Sequence, residues 1–305
     1  MTAVAAAAPG PLARVPPQLL LTAAAVSLQT GSALATRLFP AIGAPGVLAL
    51  RMGVAALALL VIGRAWRFLP RGRAVGLVVA FGAVLGSMNL MFYLALERIP
   101  LGVTVALELL GPLAVAVVGS RSARDLGWAG VAVAGVAVLV GPTALRSLTG
   151  GAGEHLDGAG VLLALGAGAA WAGYIVLGHR VAGALPGTAG LAWAMVAASV
   201  VLLPLGAATA GSALLEPANL LPGIAVGVLS GALPYAIELA TMLRVGPRAF
   251  GVMMSLEPAV AVLAGLAVAG QVPTALALAG IALVVLASLG TAPRAIPSAT
   301  PEGVA

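Results

Sequence analysis

Long apolar stretches, broken by short clusters of Arg, Pro and Gly, set the rhythm of this 305-residue chain. Most run for about 20 residues, the length an α-helix needs to cross the hydrocarbon core of a bilayer. Punctuation at charges, prolines and glycines predicts ten such helices, over residues 17–37, 43–63, 74–96, 100–119, 126–141, 158–178, 187–208, 220–242, 247–269 and 273–291. The expected class is therefore all-α integral membrane. The Ala-rich start over residues 2–8 is too short for a signal-peptide core, and the first apolar run passes Gln29 without a cleavage pattern, so a retained first helix is expected. The longest polar connector, residues 142–157, carries Glu154, His155 and Asp157 at the middle of the chain. It predicts a link between a first half, 17–141, and a second half, 158–291, flanked by an N-terminal segment (1–16) and a polar tail (292–305).

Composition sharpens that picture. The chain is 61% hydrophobic and 8% charged, whereas a soluble domain carries about 25% charged residues. All 15 basic residues are Arg, and the net charge of +6 is spread through short connectors. Spread in that way, it does not make a nucleic-acid patch. With no Cys there is no disulfide, thiol nucleophile or thiolate metal site. His155 and His179 are too few and too far apart to suggest a metal cluster. The glycine runs at 151–155 and 166–170 follow no strand and lack a phosphate-binding Lys, so nucleotide binding is not expected. No Ser/His/Asp constellation suggests an enzyme, and nothing calls for a cofactor.

Arginine also orients the chain, because cytoplasmic loops of membrane proteins hold the excess of positive charge. Arg14, Arg64, Arg67, Arg71, Arg73, Arg121, Arg124, Arg180, Arg244, Arg248 and Arg294 fall on the side of the N-terminus, against Arg37, Arg98 and Arg146 opposite. Both termini are then expected in the cytoplasm, which requires an even number of crossings. The halves resemble one another as well. With Pro112 over Pro258, residues 95–119 lie over 241–265 without a gap, placing Arg98 on Arg244 and Gly119 on Gly265. Five helices is an odd number, so the second half must be inverted. Inverted repeats are common in secondary transporters, with the substrate site near the midplane between them.

Charges within predicted helices mark candidate sites, since each costs at least about 2.5–3.5 kcal/mol at the bilayer centre on insertion scales. Four stand out: Arg51, Glu108, Glu238 and Glu257. Glu108 precedes Pro112 by four residues and Glu257 precedes Pro258 by one; in the repeat alignment the two carboxylates are about one helical turn apart. A helix-interrupting proline frees backbone carbonyls, which are tolerated where they face a cavity. For Arg51, ion pairing with one of the glutamates competes with substrate contact. For Glu238, nearer a helix end, an interfacial role competes with coupling. Asn89 and Tyr93 share a face with Gly82 and Gly86, and Tyr235 lies beside a stripe of Gly227, Gly231, Pro234 and Glu238. Close helix packing through small residues is the plain alternative for both stripes. Ser27, Thr30 and Gly31 share a further face, and the four Trp read as interfacial or packing residues.

The stretches SALATRLFPAIGAPGVLALRM (32–52), NLMFYLALERIPLGVTVALELLGPLAVAVVGSR (89–121), LGAGAAWAGYIVLGHR (165–180) and GALPYAIELATMLRVGPRAFGVMMSLEPAVAVLAG (231–265) resemble the threonine/homoserine exporters. These form part of the EamA-type branch of the drug/metabolite transporter superfamily. The resemblance covers about residues 17–291. It implies ten helices in two inverted five-helix repeats, an inner-membrane location, and export of small neutral amino acids, with protons as the coupling partner. Carried over by position, it implies substrate-binding roles for Arg51, Asn89, Tyr93, Glu108, Tyr235 and Glu257, and proton coupling through Glu108, Glu257 and Glu238. One departure is the pair Gly270 and Gln271, where such proteins commonly have Gly-Glu; a carboxylate that assists coupling or a gate would be missing here.

A zwitterionic amino acid needs a positive partner for its carboxylate and a negative one for its ammonium. Arg51 can engage a carboxylate bidentately, and Glu108 or Glu257 can meet the ammonium. Competition between that ammonium and a proton for one Glu gives antiport. Two rivals stand beside this reading. A same-fold exporter of another metabolite or cationic drug suits three intramembrane acids against one base, and a non-transporting membrane scaffold would tolerate apolar replacement of all four. The residues do not specify an oligomeric state.

Overall fold

The computed structural model describes residues 15–118, 123–149, 157–186, 188–238, 241 and 257–291. Its elements are α1 (Pro17–Thr36), α2 (Phe39–Ile62), α3 (Arg73–Leu96), α4 (Leu101–Glu108), α5 (Leu110–Val118), α6 (Ala123–Thr149), α7 (Gly158–Ala184) and α8 (Ala189–Ala210). They are followed by α9 (Pro217–Glu238), α10 (Glu257–Ala269) and α11 (Ala275–Thr291). No strand occurs among the described residues. Among the described residues six helices are long and apolar enough to cross a membrane: α1, α2, α3, α7, α8 with its 3₁₀ extension to Leu215, and α9. Four further apolar helical runs, within α4–α5, α6, α10 and α11, are shorter.

Three differences from the expected helices have local causes. The first eighth of the chain turns early, because α2 begins at Phe39 and bends at Gly43, whose φ of 65° and ψ of 166° suit only glycine. The fourth helix is broken at Leu109 into α4 and α5, three residues before Pro112. Helix α6 runs on to Thr149, so residues 142–149 of the expected central connector are helical. Of the ninth expected helix, residues 247–256 lie outside the described ones.

Packing is built on small residues. Helix α2 lies along α8, α3 against both α7 and α8, α1 against α10 and the middle of α9, α4 against α7 and α10, and α6 against α11. A Cβ on Gly111 would come within 1.8 Å of the Gly168 carbonyl oxygen, so α5 and α7 touch backbone to backbone. Gly135 and Gly280 bring α6 and α11 together in the same manner, each facing the other's carbonyl oxygen at 3.0 Å from its would-be Cβ. Large apolar side chains also cover the outside: Leu57, Val61, Val79, Val200, Val201, Leu221 and Leu263 are all exposed, while Leu48, Met52, Leu85 and Met195 fill the interior. An apolar exterior around close helix contacts is the arrangement a bilayer selects.

Contacts between helix ends sort into two sets. At the end bearing the N-terminus, Trp193 Nε1 donates to Ala65 O and Phe68 O at 3.2 and 3.1 Å, and Arg124 Nη2 donates to Gly290 O at 3.0 Å. At the other end Ala44 N–H donates to Glu97 Oε1 at 2.5 Å, Leu101 N–H to Gln271 Oε1 at 2.9 Å and Arg37 to Val268 O. Arg98 pairs with Asp157 there at 3.5 Å. Every one of these contacts joins ends that alternating up and down helices would bring to the same side.

Candidate functional site

The site is organised by a proline. Pro234 has no N–H to give the carbonyl four residues earlier, which is that of Ser230. Upstream, Val228–Ala232 widens into a π turn in which Leu233 N–H bonds Val228 O, leaving Leu229 O without its usual helical partner. Such turns concentrate at functional positions. The two released carbonyls are taken up across the bundle: Leu229 O accepts from the Ser27 hydroxyl of α1 at 2.6 Å, and Ser230 O accepts from Arg51 Nε and Nη2 at 3.1 and 2.6 Å. Gly31 and Gly231 make these approaches possible, since a Cβ on either would lie 2.8 Å from Ser230 or Ala55 respectively.

Arg51 is only 3% exposed. Its Nη1 donates to Asn89 Oδ1, and the orientation of that amide is fixed because Asn89 Nδ2 donates to Leu85 O at 2.8 Å. The guanidinium also lies over the Tyr93 ring, 5.2 Å from its centroid, a cation–π contact. No carboxylate oxygen among the described residues lies within 4 Å of it. Dipoles and an aromatic face therefore hold the charge in place, and the ion-pair alternative for Arg51 does not match this geometry. Of the five N–H donors of a guanidinium, three are engaged with Ser230 and Asn89. The remaining two have no hydrogen-bond partner among the described residues.

Around this cation stand the carboxyl groups. Glu108 closes α4 just before the break at Leu109, and its own carbonyl is the one Pro112 leaves without a helical partner. The Glu108 side chain is in electrostatic contact with Glu257, at the start of α10, and with Arg51. Glu238 interacts with the same two residues from the end of α9. Tyr235 faces Arg51, Glu238 and Glu108 and lies beside the Asn89 amide. The chain thus brings Arg51, Asn89, Tyr93, Glu108, Tyr235, Glu238 and Glu257 into one cluster drawn from α2, α3, α4, α9 and α10. Among the described residues no group of three His, Cys, Asp or Glu side chains is placed to hold a metal ion.

Burial grades across the cluster. Tyr93, Asn89, Arg51 and Glu257 are buried, whereas Tyr235 and Glu238, towards the end of the bundle that carries the N-terminus, are half-buried. Tyr174 of α7 adds to that half-buried side. It stacks on Phe81 with ring centroids 4.9 Å apart and faces Tyr235 and Glu238. Sequence reasoning passed it over because α7 carries no charge near it to mark the position. The Ser230 carbonyl was missed too, although Pro234 four residues on was its signal.

Gln271 has a structural task. Pro100 cannot cap α4 with a side chain, and the Gln271 amide oxygen accepts the Leu101 N–H, which has no partner within the helix, in its place. The turn that brings it there uses Gly270 at φ 69°, and Gln271 N–H closes it on Gly265 O at 2.9 Å. An amide oxygen accepts this bond as a carboxylate would, so the neutral residue retains the contact.

Comparison with known proteins places these features in a family. The chain is 40% identical to the threonine/homoserine exporters RhtA of Escherichia coli K12 and Salmonella typhimurium LT2 over 286 residues, 93% of this chain and 94% of each relative. It belongs to the EamA-like transporter family. The family's model matches residues 158–292, the part that supplies Tyr235, Glu238 and Glu257. One solved protein structure, 20% identical, superposes with a TM-score of 0.59 over 90% of this chain and 95% of that one, a likeness of fold. This EamA-like chain is accordingly a multi-pass membrane transporter and not an enzyme.

Proposed function

We propose that the chain exports small neutral amino acids, threonine and homoserine among them, across the bacterial inner membrane, with proton antiport as the coupling. The observation that carries the reading is Arg51: buried, fixed by Ser230 and Asn89, with no carboxylate oxygen of the described residues within 4 Å and with two N–H donors unpaired among them. That is a receptor for a carboxylate. One guanidinium against three carboxyl groups leaves the cluster short of positive charge, which the substrate ammonium or a proton supplies. Glu108, which interacts with Arg51, and Glu257 beside it are the groups for which ammonium and proton compete. Net exchange follows if only one of them occupies the pair at a time. The two relatives bearing the exporter name support the substrate class.

The architecture that fits this reading is ten crossings in two inverted repeats, 17–141 and 158–291, with both termini cytoplasmic. The packing partners support it, because exchanging each of the first five helices with its counterpart in the second five largely reproduces the same set. The pairs α3 with α7 and α1 with α9 exchange, as do α1 with α10 and α4 with α7, while α2 with α8 and α6 with α11 map onto themselves. Orientation rests on the Arg distribution.

The excess of acids over bases favours one second reading, export of a cationic metabolite or drug. Efflux of labelled homoserine from preloaded cells lacking their own exporters separates the two. Protonophore-sensitive acceleration, competed by threonine but not by quaternary ammonium compounds, supports amino-acid export. Retention of pH-driven efflux in both Glu108→Gln and Glu257→Gln would eliminate the coupling scheme.

A further inference from the structure

Two buried side-chain polar atoms among the described residues have no hydrogen-bond partner, Gln29 Oε1 and the Tyr93 hydroxyl. Leaving such a group unpaired costs about 1–3 kcal/mol. Native proteins carry few, and each calls for an explanation. Among the described residues no hydrogen bond joins Gln29 to the charged cluster. Tyr93 is different, because its ring lies directly beneath the Arg51 guanidinium and its side chain is wholly buried. Phe39 from the start of α2 packs edge-on against the same ring at 5.9 Å and holds it in place. Asn89, one turn earlier on α3, is already committed to Arg51 and Leu85.

We infer that the Tyr93 hydroxyl is the specificity-determining group that reads a hydroxyl on the substrate's side chain. The inference rests on the amino-acid reading above. A carboxylate seated on the open edge of Arg51 places an amino acid's side chain within a few ångströms, because Cα and Cβ follow directly on the carboxyl carbon. The Arg51 guanidinium carbon is 5.2 Å from the centre of the Tyr93 ring; in the proposed pose the side chain of a substrate anchored there meets the phenolic oxygen. A phenol both donates and accepts, as an alcohol does. An alcohol-bearing side chain satisfies Tyr93, whereas a methyl of the same size leaves it buried and unpaired. A site built to bond a hydroxyl rejects the analogue lacking it far more strongly than an apolar pocket rejects an extra hydroxyl. Discrimination between threonine and valine, which differ by a hydroxyl against a methyl, follows from this geometry.

The test is Tyr93→Phe, which removes the hydroxyl and keeps the ring beneath Arg51. Uptake of labelled threonine and of labelled valine is measured in inside-out vesicles for the wild type and the variant. The expected result is a threonine KM raised about tenfold with kcat retained, the factor associated with one hydrogen bond. Valine transport stays equal or improves, so the threonine-to-valine ratio collapses. An unchanged ratio overturns the inference while leaving amino-acid export standing. Wild-type vesicles that carry neither amino acid overturn the transport reading and this inference together. A substrate-free measurement guards against misfolding: thermal stability of the purified variant should equal or exceed that of the wild type, because an unpartnered buried hydroxyl contributes nothing to the fold. A clear loss of stability would mean that the hydroxyl has a structural partner, and the inference fails.

Discussion

Replacement of Arg51 by lysine keeps the charge and removes the fork, and its effect can be worked out from donors. Arginine uses three N–H groups on Ser230 O and Asn89 Oδ1 and retains two for a substrate carboxylate. Lysine brings three donors in all. Serving Ser230 O and Asn89 Oδ1 leaves it one. The substrate therefore loses one of two parallel charge-assisted hydrogen bonds. Bonds to charged groups contribute about 1.5–3 kcal/mol each, so KM should rise about 10- to 150-fold. Because the charge stays buried among the same carbonyls, the protein should still fold and reach the membrane. Initial rates of labelled homoserine uptake into inside-out vesicles, taken over a range of concentrations, give KM and kcat separately. A KM within threefold of the wild type, with the variant shown to be present in equal amount, would refute the carboxylate role of Arg51. A fall in kcat alone would refute it equally, since the argument concerns binding.

Three further outcomes follow from packing and capping. Gly111→Ala drives a Cβ to 1.8 Å from the Gly168 carbonyl oxygen, and overpacking of this kind costs about 1–3 kcal/mol. Thermal unfolding in detergent should show a clear fall for it and none for Gly76→Ala, whose Cβ meets nothing within 4 Å. Gln271→Leu removes the acceptor for Leu101 N–H and should destabilise the protein by about 1 kcal/mol, whereas Gln271→Glu keeps an acceptor and should match or exceed wild-type stability; equal stability of the Leu and Glu variants in the same unfolding assay would remove the capping role. Trp193→Phe loses the bonds to Ala65 O and Phe68 O and should raise protease nicking of the connector between α2 and α3 in inside-out vesicles, with homoserine KM unchanged.

Much of the fold could be read from the chain because a bilayer imposes a single requirement on spanning segments. Backbone polar groups find no water in the bilayer core and must be paired within the protein, most of them inside their own helix, so long apolar runs mark the helices. Intramembrane charge likewise marked Arg51, Glu108, Glu238 and Glu257, since each has a cost that needs a reason. The sequence also held the means of freeing Ser230 O and Glu108 O, in Pro234 and Pro112.

What one dimension does not carry is which groups those freed carbonyls meet. By charge alone any of three glutamates suits Arg51; tertiary packing gave it instead to a carbonyl from the opposite half, an amide and a tyrosine face. Tyr174 and the cap from Gln271 depend on contacts between residues distant in sequence, α7 with α3 and the α10–α11 turn with α4. The unpartnered hydroxyl of Tyr93 is likewise a property of its surroundings. A residue's type and spacing determine which bonds it is able to make, and only the packed bundle decides which of them remain open to a substrate.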